Sequence, residues 1–106
     1  MKVMMRSIMK VLHGKMEEAI ELEKKRKIIA NRVLGMSPRI YIPFSGGGDT
    51  MRTIVIEAEF DSITAWESLT EKIGADPEMQ GLFPKMAAVI DSVKIELYTP
   101  IQLEQV

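Results

Sequence analysis

The chain has no cysteine, which removes disulfides, thiol nucleophiles and thiolate metal sites from consideration. It has a single histidine, His13, whereas a metal site needs three or four converging ligands, so no metal is expected. No cofactor is expected either. Neither charge dominates: 14 basic residues face 15 acidic ones, for a net charge of −1. This balance gives no electrostatic reason to bind nucleic acid or an anionic membrane. No apolar run approaches the ~20 residues that span a bilayer. The opening Met1-Lys2-Val3-Met4-Met5-Arg6 alternates where a signal peptide would run apolar, so a cytoplasmic location is expected. There is no internal repeat and no low-complexity segment.

What remains is an ordinary globular composition, 46% apolar and 27% charged, which excludes disorder. The 106 residues make one domain, 1–106, around one core. Nine methionines are the compositional oddity. Methionine fills cores, and its flexible, polarizable side chain also lines adaptable apolar cavities.

Residues 2–12 alternate as a strand, with Val3, Met5, Met9 and Val11 on one face and Ser7 the exception there. After His13-Gly14 a helix is expected from Lys15 to Leu34, with Met16, Ile20 and Leu34 on its inner side, Ala19 and Ala30 flanking them, and Gly35 as its left-handed stop. Arg39–Phe44 reads as a second strand. Pro38 and Pro43 place it at an edge, since proline cannot donate to a ladder. Ser45–Asp49 is a loop, and Met51–Phe60 a third strand carrying Ile54, Ile56, Ala58 and Phe60 on one face. Asp61-Ser62 caps a helix bearing Ile63, Trp66, Leu69 and Ile73. Asp76-Pro77 starts another, and Phe83-Pro84 is expected to start a third that carries Met86, Ala87, Val89 and Ile90. Val93–Thr99 is the last strand, with Val93, Ile95 and Leu97 facing inward, and Pro100 stops it.

The order βαββαβ with right-handed crossovers predicts an α+β, ferredoxin-like unit: a four-stranded antiparallel sheet with its helices on one face. The opposite sheet face would carry Met4, Ile8, Leu12, Tyr41, Met51, Val55 and Tyr98 mixed with Arg6, Lys10, Arg39, Glu57, Glu59, Lys94 and Glu96. It is too apolar for a solvated face and too charged for a core. A homodimer with two such sheets packed together explains it. The tail after Pro100 alternates Ile101, Leu103 and Val106 with polar residues, and is expected to lie along a partner subunit.

Phe60-Asp61-Ser62, Trp66-Glu67 and Ala75-Asp76-Pro77-Glu78, with Gly14-Lys15 at the first strand–helix junction, resemble the dimeric α/β-barrel proteins. Within that superfamily the chain is most similar to the small antibiotic-biosynthesis-monooxygenase-like and NIPSNAP-like domains. The resemblance implies a homodimer whose two sheets pack as a barrel, each subunit holding a pocket between its own sheet and helices. It does not carry one activity, because members oxygenate aromatic polyketides without cofactor, degrade haem, or bind small acids. Haem-degrading members share the tryptophan matched by Trp66. They also have an asparagine on the first strand and a histidine in the second half of the chain, and neither is present here.

Candidate site residues follow from these placements. Met9, Phe44, Trp66, Phe83 and Met86 would wall the pocket, with His13, Glu23, Lys27 and Asn31 as polar contacts. Glu23 and Lys27 have the i,i+4 spacing of a helical ion pair; the plainer reading makes them a boundary pair with their heads in water. His13 is read first as a surface residue, and Lys24–Lys27 as a solvated run complementing the helix dipole. Gly46-Gly47-Gly48 is no phosphate loop, because it opens a strand rather than a helix. Tyr41, Tyr98 and Trp66 suit core or interface positions, or an oxygenase that holds an enolate. The first reading is therefore a protein that binds an apolar ligand, fatty-acid-like or aromatic. The alternatives are a cofactor-independent monooxygenase on a phenolic substrate, and a structural or partner-binding module.

Overall fold

Alternation in the first strand sets the layers of the molecule. In the computed structural model, which describes residues 1–101, β1 (Val3–Val11) lies inside a four-stranded antiparallel sheet. It pairs with β3 (Thr53–Phe60) on one side and β4 (Ile90–Tyr98) on the other, and β2 (Arg39–Tyr41) borders β3, giving the order β2-β3-β1-β4. Three helices, α1 (Met16–Leu34), α2 (Ile63–Gly74) and α3 (Pro77–Ala87), complete the ferredoxin-like α+β fold. No helix among the described residues is long and apolar enough to cross a membrane. The tail expectation falls on residues 102–106 and lies outside the described residues, apart from an exposed Ile101.

The inward faces of β1 and β3 are as the alternation requires. Val3, Ser7, Met9 and Val11 are buried, as are Ile54, Ile56, Ala58 and Phe60. Ser62 caps α2 by accepting from the Ala65 amide, and Asp76 caps α3 by accepting from Glu78 and Met79. Arg32, late in α1, reaches the same Asp76 carboxylate at 2.9 Å and Glu78 at 3.0 Å, tying α1 to the start of α3. Gly35 ends α1 at φ 68°, a left-handed conformation that suits glycine.

Five expectations are corrected. The buried stripe of α1 is Ala19, Leu22, Glu23, Ile29 and Ala30; Met16 and Ile20 pack on the core only partly buried, so the inner side is turned from the expected line toward Leu22 and Ile29. Helix does not restart at Pro84, since α3 runs through it from Pro77 to Ala87. Gln80, whose carbonyl loses its partner to the proline, is exposed to water, so the break costs little. The second strand stops at Tyr41. The glycine-rich loop winds into a short 3-10 helix, Gly48–Arg52, before β3. There Arg52 bonds Asp49 at 2.9 Å and the Val11 carbonyl at 2.7 Å. β4 begins at Ile90, earlier than expected. Its row Val93, Ile95 and Leu97 is exposed, because the core draws on β1, β3, α1 and α3 and takes only Ile90 from β4.

Candidate functional site

Short side chains leave a gap in the layer between sheet and helices. Ser7 on β1, Ala58 on β3 and Ala30 on α1 stand where neighbouring positions carry Met9, Ile56 and Ile29. The result is a cavity of about 140 Å³ bordered by these residues and by Met5, Ile40, Phe60, Trp66, Ile73 and Ile95. Its polar rim comes from α1 (Glu23, Arg26 and Lys27) and from Thr70 of α2. The cavity is close in size to one of ~150 Å³ that takes a benzene ring in another protein.

Two polar groups in this apolar setting stand out. Glu23 is only 2% exposed, and its carboxylate lies 3.3 Å from Arg26 Nη1. Burial pushes the Glu23 carboxyl above its ordinary value, and Arg26 partly offsets this by charge and hydrogen bond. Arg26 Nη1 also sits 4.0 Å from Met9 Sδ. Trp66 Nε1, the second group, is buried and has no hydrogen-bond partner among the described residues. An unpaired buried donor costs about 1–3 kcal/mol.

The Glu23–Lys27 pair expected from the spacing does not form. Glu23 bonds Arg26 one turn along, because Arg26 falls between Leu22 and Ile29 on the buried side. Of the residues singled out in sequence, Glu23, Lys27 and Trp66 meet at the cavity. His13 lies exposed in the β1–α1 turn, Phe44 is 98% exposed, and Phe83 sits on the outside of α3. Asn31 is exposed and donates to Ser37 Oγ at 3.1 Å. Met86 and Met9 belong to the core packing rather than the cavity wall. Arg26, read in sequence as part of a solvated run, and Ser7, noted only as the exception in its row, were not named as cavity residues. The spacing Ala19–Leu22–Arg26–Ile29–Val33, apolar at four of its five positions, was the signal for Arg26. No three His, Asp or Glu side chains converge as metal ligands among the described residues.

The raised Glu23 value has a direct consequence for stability. Its proton is held more tightly in the folded state than in the unfolded chain. The Glu23 contribution to stability is therefore fullest at acid pH and is lost as pH climbs from about 4.5 through the raised value. Glu23→Gln removes the ionisation while keeping a hydrogen-bonding group for Arg26. Thermal unfolding followed from about pH 5 to about pH 8 should show wild-type stability falling relative to the variant. Parallel curves would mean that Glu23 carries no burial penalty.

The opposite sheet face carries its own charge network. Arg6 meets Glu57 on the neighbouring strand at 3.0 Å and lies 5.6 Å over the Tyr98 ring. The Tyr98 hydroxyl donates to Glu96 at 2.8 Å, and Lys94 meets Glu96 at 3.1 Å. Glu96 is held below the usual carboxylate range, chiefly by the Tyr98 hydroxyl and then Lys94. Ile8, Tyr41 and Val55 form a shallow apolar groove bordered by Arg6 and Glu57.

No family model matches the sequence, and no curated protein does. Solved structures share its fold. A NIPSNAP family protein from Agrobacterium tumefaciens superposes with a TM-score of 0.83 at 18% identity, covering 97% of this chain and 89% of that one. An uncharacterized NIPSNAP domain protein from Burkholderia xenovorans gives 0.75 at 18% identity, covering 99% of both chains. A point variant of SnoaB, a cofactor-independent oxygenase from Streptomyces nogalater, gives 0.68 at 16% identity, covering 96% of this chain and 95% of that one.

Proposed function

The chain has the ferredoxin-like fold of the NIPSNAP and SnoaB structures, and from that fold and its cavity we propose that it binds a small, mainly apolar ring compound and acts as a homodimer. The observation that carries this reading is an apolar cavity of single-ring size lined by Trp66, whose buried Nε1 donor has no partner among the described residues. A ligand oxygen that reaches this N–H by a small shift of the indole removes a standing cost, so binding gains more than the apolar contact alone. At about 140 Å³ the cavity suits an aromatic ring better than a long acyl chain. Glu23, Lys27 and Trp66 are the proposed ligand contacts from the residues first singled out, joined by Arg26.

A second reading, oxygenation of a phenolic substrate, has two supports. SnoaB shares the fold, and the carboxyl of Glu23, raised by burial, stands in the same cavity as a proton acceptor. In such chemistry the substrate supplies the carbanion, so few catalytic side chains are needed. Oxygen uptake with a phenol separates this reading from binding alone.

The binding reading is tested by native mass spectrometry of freshly purified protein, followed by calorimetry with toluene, phenol and benzoate. Phenol is expected to bind more tightly than toluene, which has no acceptor for Trp66. Lys27→Ala is expected to weaken benzoate more than phenol, by up to about tenfold, if the ammonium anchors acids. Equal losses would remove Lys27 as an anchor. A protein that binds none of the three would overturn the cavity as a ligand site.

A further inference from the structure

The two edges of the sheet are built differently. β2 is three residues long, with Pro38 just before it and Pro43 just after, so that edge offers little to another strand. β4 is nine residues long and has no proline inside it. It pairs on one side with β1 and on the other with nothing among the described residues. Its helix-side row is apolar and open to solvent: Val93 is 51% exposed, Ile95 57% and Leu97 40%. A long, open, apolar edge of this kind is a template for strand pairing, and natural chains block it unless it is used.

The sequence of β4 is complementary to itself. Set two copies antiparallel about a two-fold axis through Ile95, and each residue faces the one equally far on the other side. Lys94 then stands opposite the partner's Glu96, and Glu96 opposite the partner's Lys94. Val93 faces the partner's Leu97, and Ile95 faces the partner's Ile95. Directly opposed residues in an antiparallel pair lie on the same side of the sheet. The three apolar residues of each copy therefore line one side, and both ion pairs line the other. A register shifted by two residues, with Lys94 opposite the partner's Lys94 or Glu96 opposite the partner's Glu96, would set like charges together and is disfavoured.

From this the geometry points to a second self-association surface: β4 pairs edge to edge with β4 of another copy in the register centred on Ile95, joining two four-stranded sheets into one. The occupant is a second copy of this chain, argued from the charge pattern and from an edge left unpaired among the described residues. Ile95 also borders the cavity, so the partner strand would close the cavity's flank on that side. This contact is distinct from the proposed face-to-face dimer, and if its two-fold axis closes on that of the sheet-face dimer the two give an assembly of four chains.

The test uses the Val55→Glu background, in which the sheet-face contact is removed and the edge contact is left alone. Sedimentation velocity and native mass spectrometry should then report a dimer. Adding Lys94→Glu, or separately Glu96→Lys, sets two like-charged pairs across the seam, and each should weaken that dimer by roughly tenfold. Mixing the two variants should restore it. In the mixed pair, positions 94 and 96 of one chain are both acidic and those of the other are both basic, so opposite charges face each other at both places. The recovered dimer should contain one of each chain. A mixture no larger than either variant alone overturns the proposal, as does a Val55→Glu protein that stays monomeric at roughly tens of micromolar. If Val55→Glu leaves the mass of the wild-type assembly unchanged, the sheet-face reading fails instead, and the charge-variant mixture still decides the β4 contact.

Discussion

Val55→Glu is expected to halve the sedimentation mass of the protein while leaving the fold of each chain intact. Val55 sits in the middle of the outer sheet face, opposite Ile8 on β1 and Tyr41 on β2. Its side chain points away from the helices, so a carboxylate there disturbs no intrachain packing layer. In a lone subunit the new charge meets water and costs little. Between two packed sheets it would be a buried carboxylate with Glu57 close by, and such a group costs several kcal/mol unless it is paired. That outweighs what an apolar contact of this size contributes. The neighbouring ion pairs explain why the rest of the face tolerates burial. Arg6 is bonded to Glu57 and stacked on Tyr98, and Lys94 is bonded to Glu96, so these charges are already neutralised within one chain. Val55→Thr keeps the shape without the charge, and should reduce association far less. Circular dichroism on both variants separates lost association from lost folding. Wild-type protein that sediments as a monomer at micromolar concentration would sink the sheet-face dimer.

Strict period-two patterns made the sheet legible. Val3 through Val11, apart from Ser7, and Ile54 through Phe60 place an apolar residue at every second position, and proline on either side of β2 marked it as an edge. The helix faces were harder to read. α1 carries apolar residues on more than one arc, and choosing between Ile20 and Leu22 as its centre depends on how far the helix is turned toward the sheet, a tertiary property. That choice moved Arg26 from the solvated run to the cavity rim. The β4 error has the same origin. The row Val93, Ile95 and Leu97 alternates as well as any buried strand, and nothing local tells that the helices stop short of it. An apolar row reports that a face is to be covered, without saying whether this chain or another covers it. The cavity itself left a faint trace, because Ser7 broke an otherwise apolar row. A polar exception on a core face is either a satisfied residue or a space, and only the packing distinguishes them.

Trp66→Phe should separate the two things the indole does. In the free protein its N–H is a buried donor without a partner among the described residues, a cost of about 1–3 kcal/mol that phenylalanine does not carry. The smaller ring gives back part of that gain by leaving a void, so the expected change in thermal stability is small, within about 1 kcal/mol. Binding should respond in the opposite sense. A ligand oxygen that accepts from the indole loses its donor, and phenol affinity should fall about tenfold, whereas toluene, which never used the N–H, should bind almost as before. Trp66→Ala removes ring and donor together. It should cost about 3 kcal/mol or less of stability, because the ring is only half-buried, and should weaken phenol and toluene alike. The contrast between the two variants is what gives the result its meaning. Loss of phenol binding in both, with toluene retained only in Trp66→Phe, assigns the N–H to the ligand. If Trp66→Phe binds phenol as tightly as wild type, the orphaned donor has no part in recognition, and the cavity selects its ligand by shape alone.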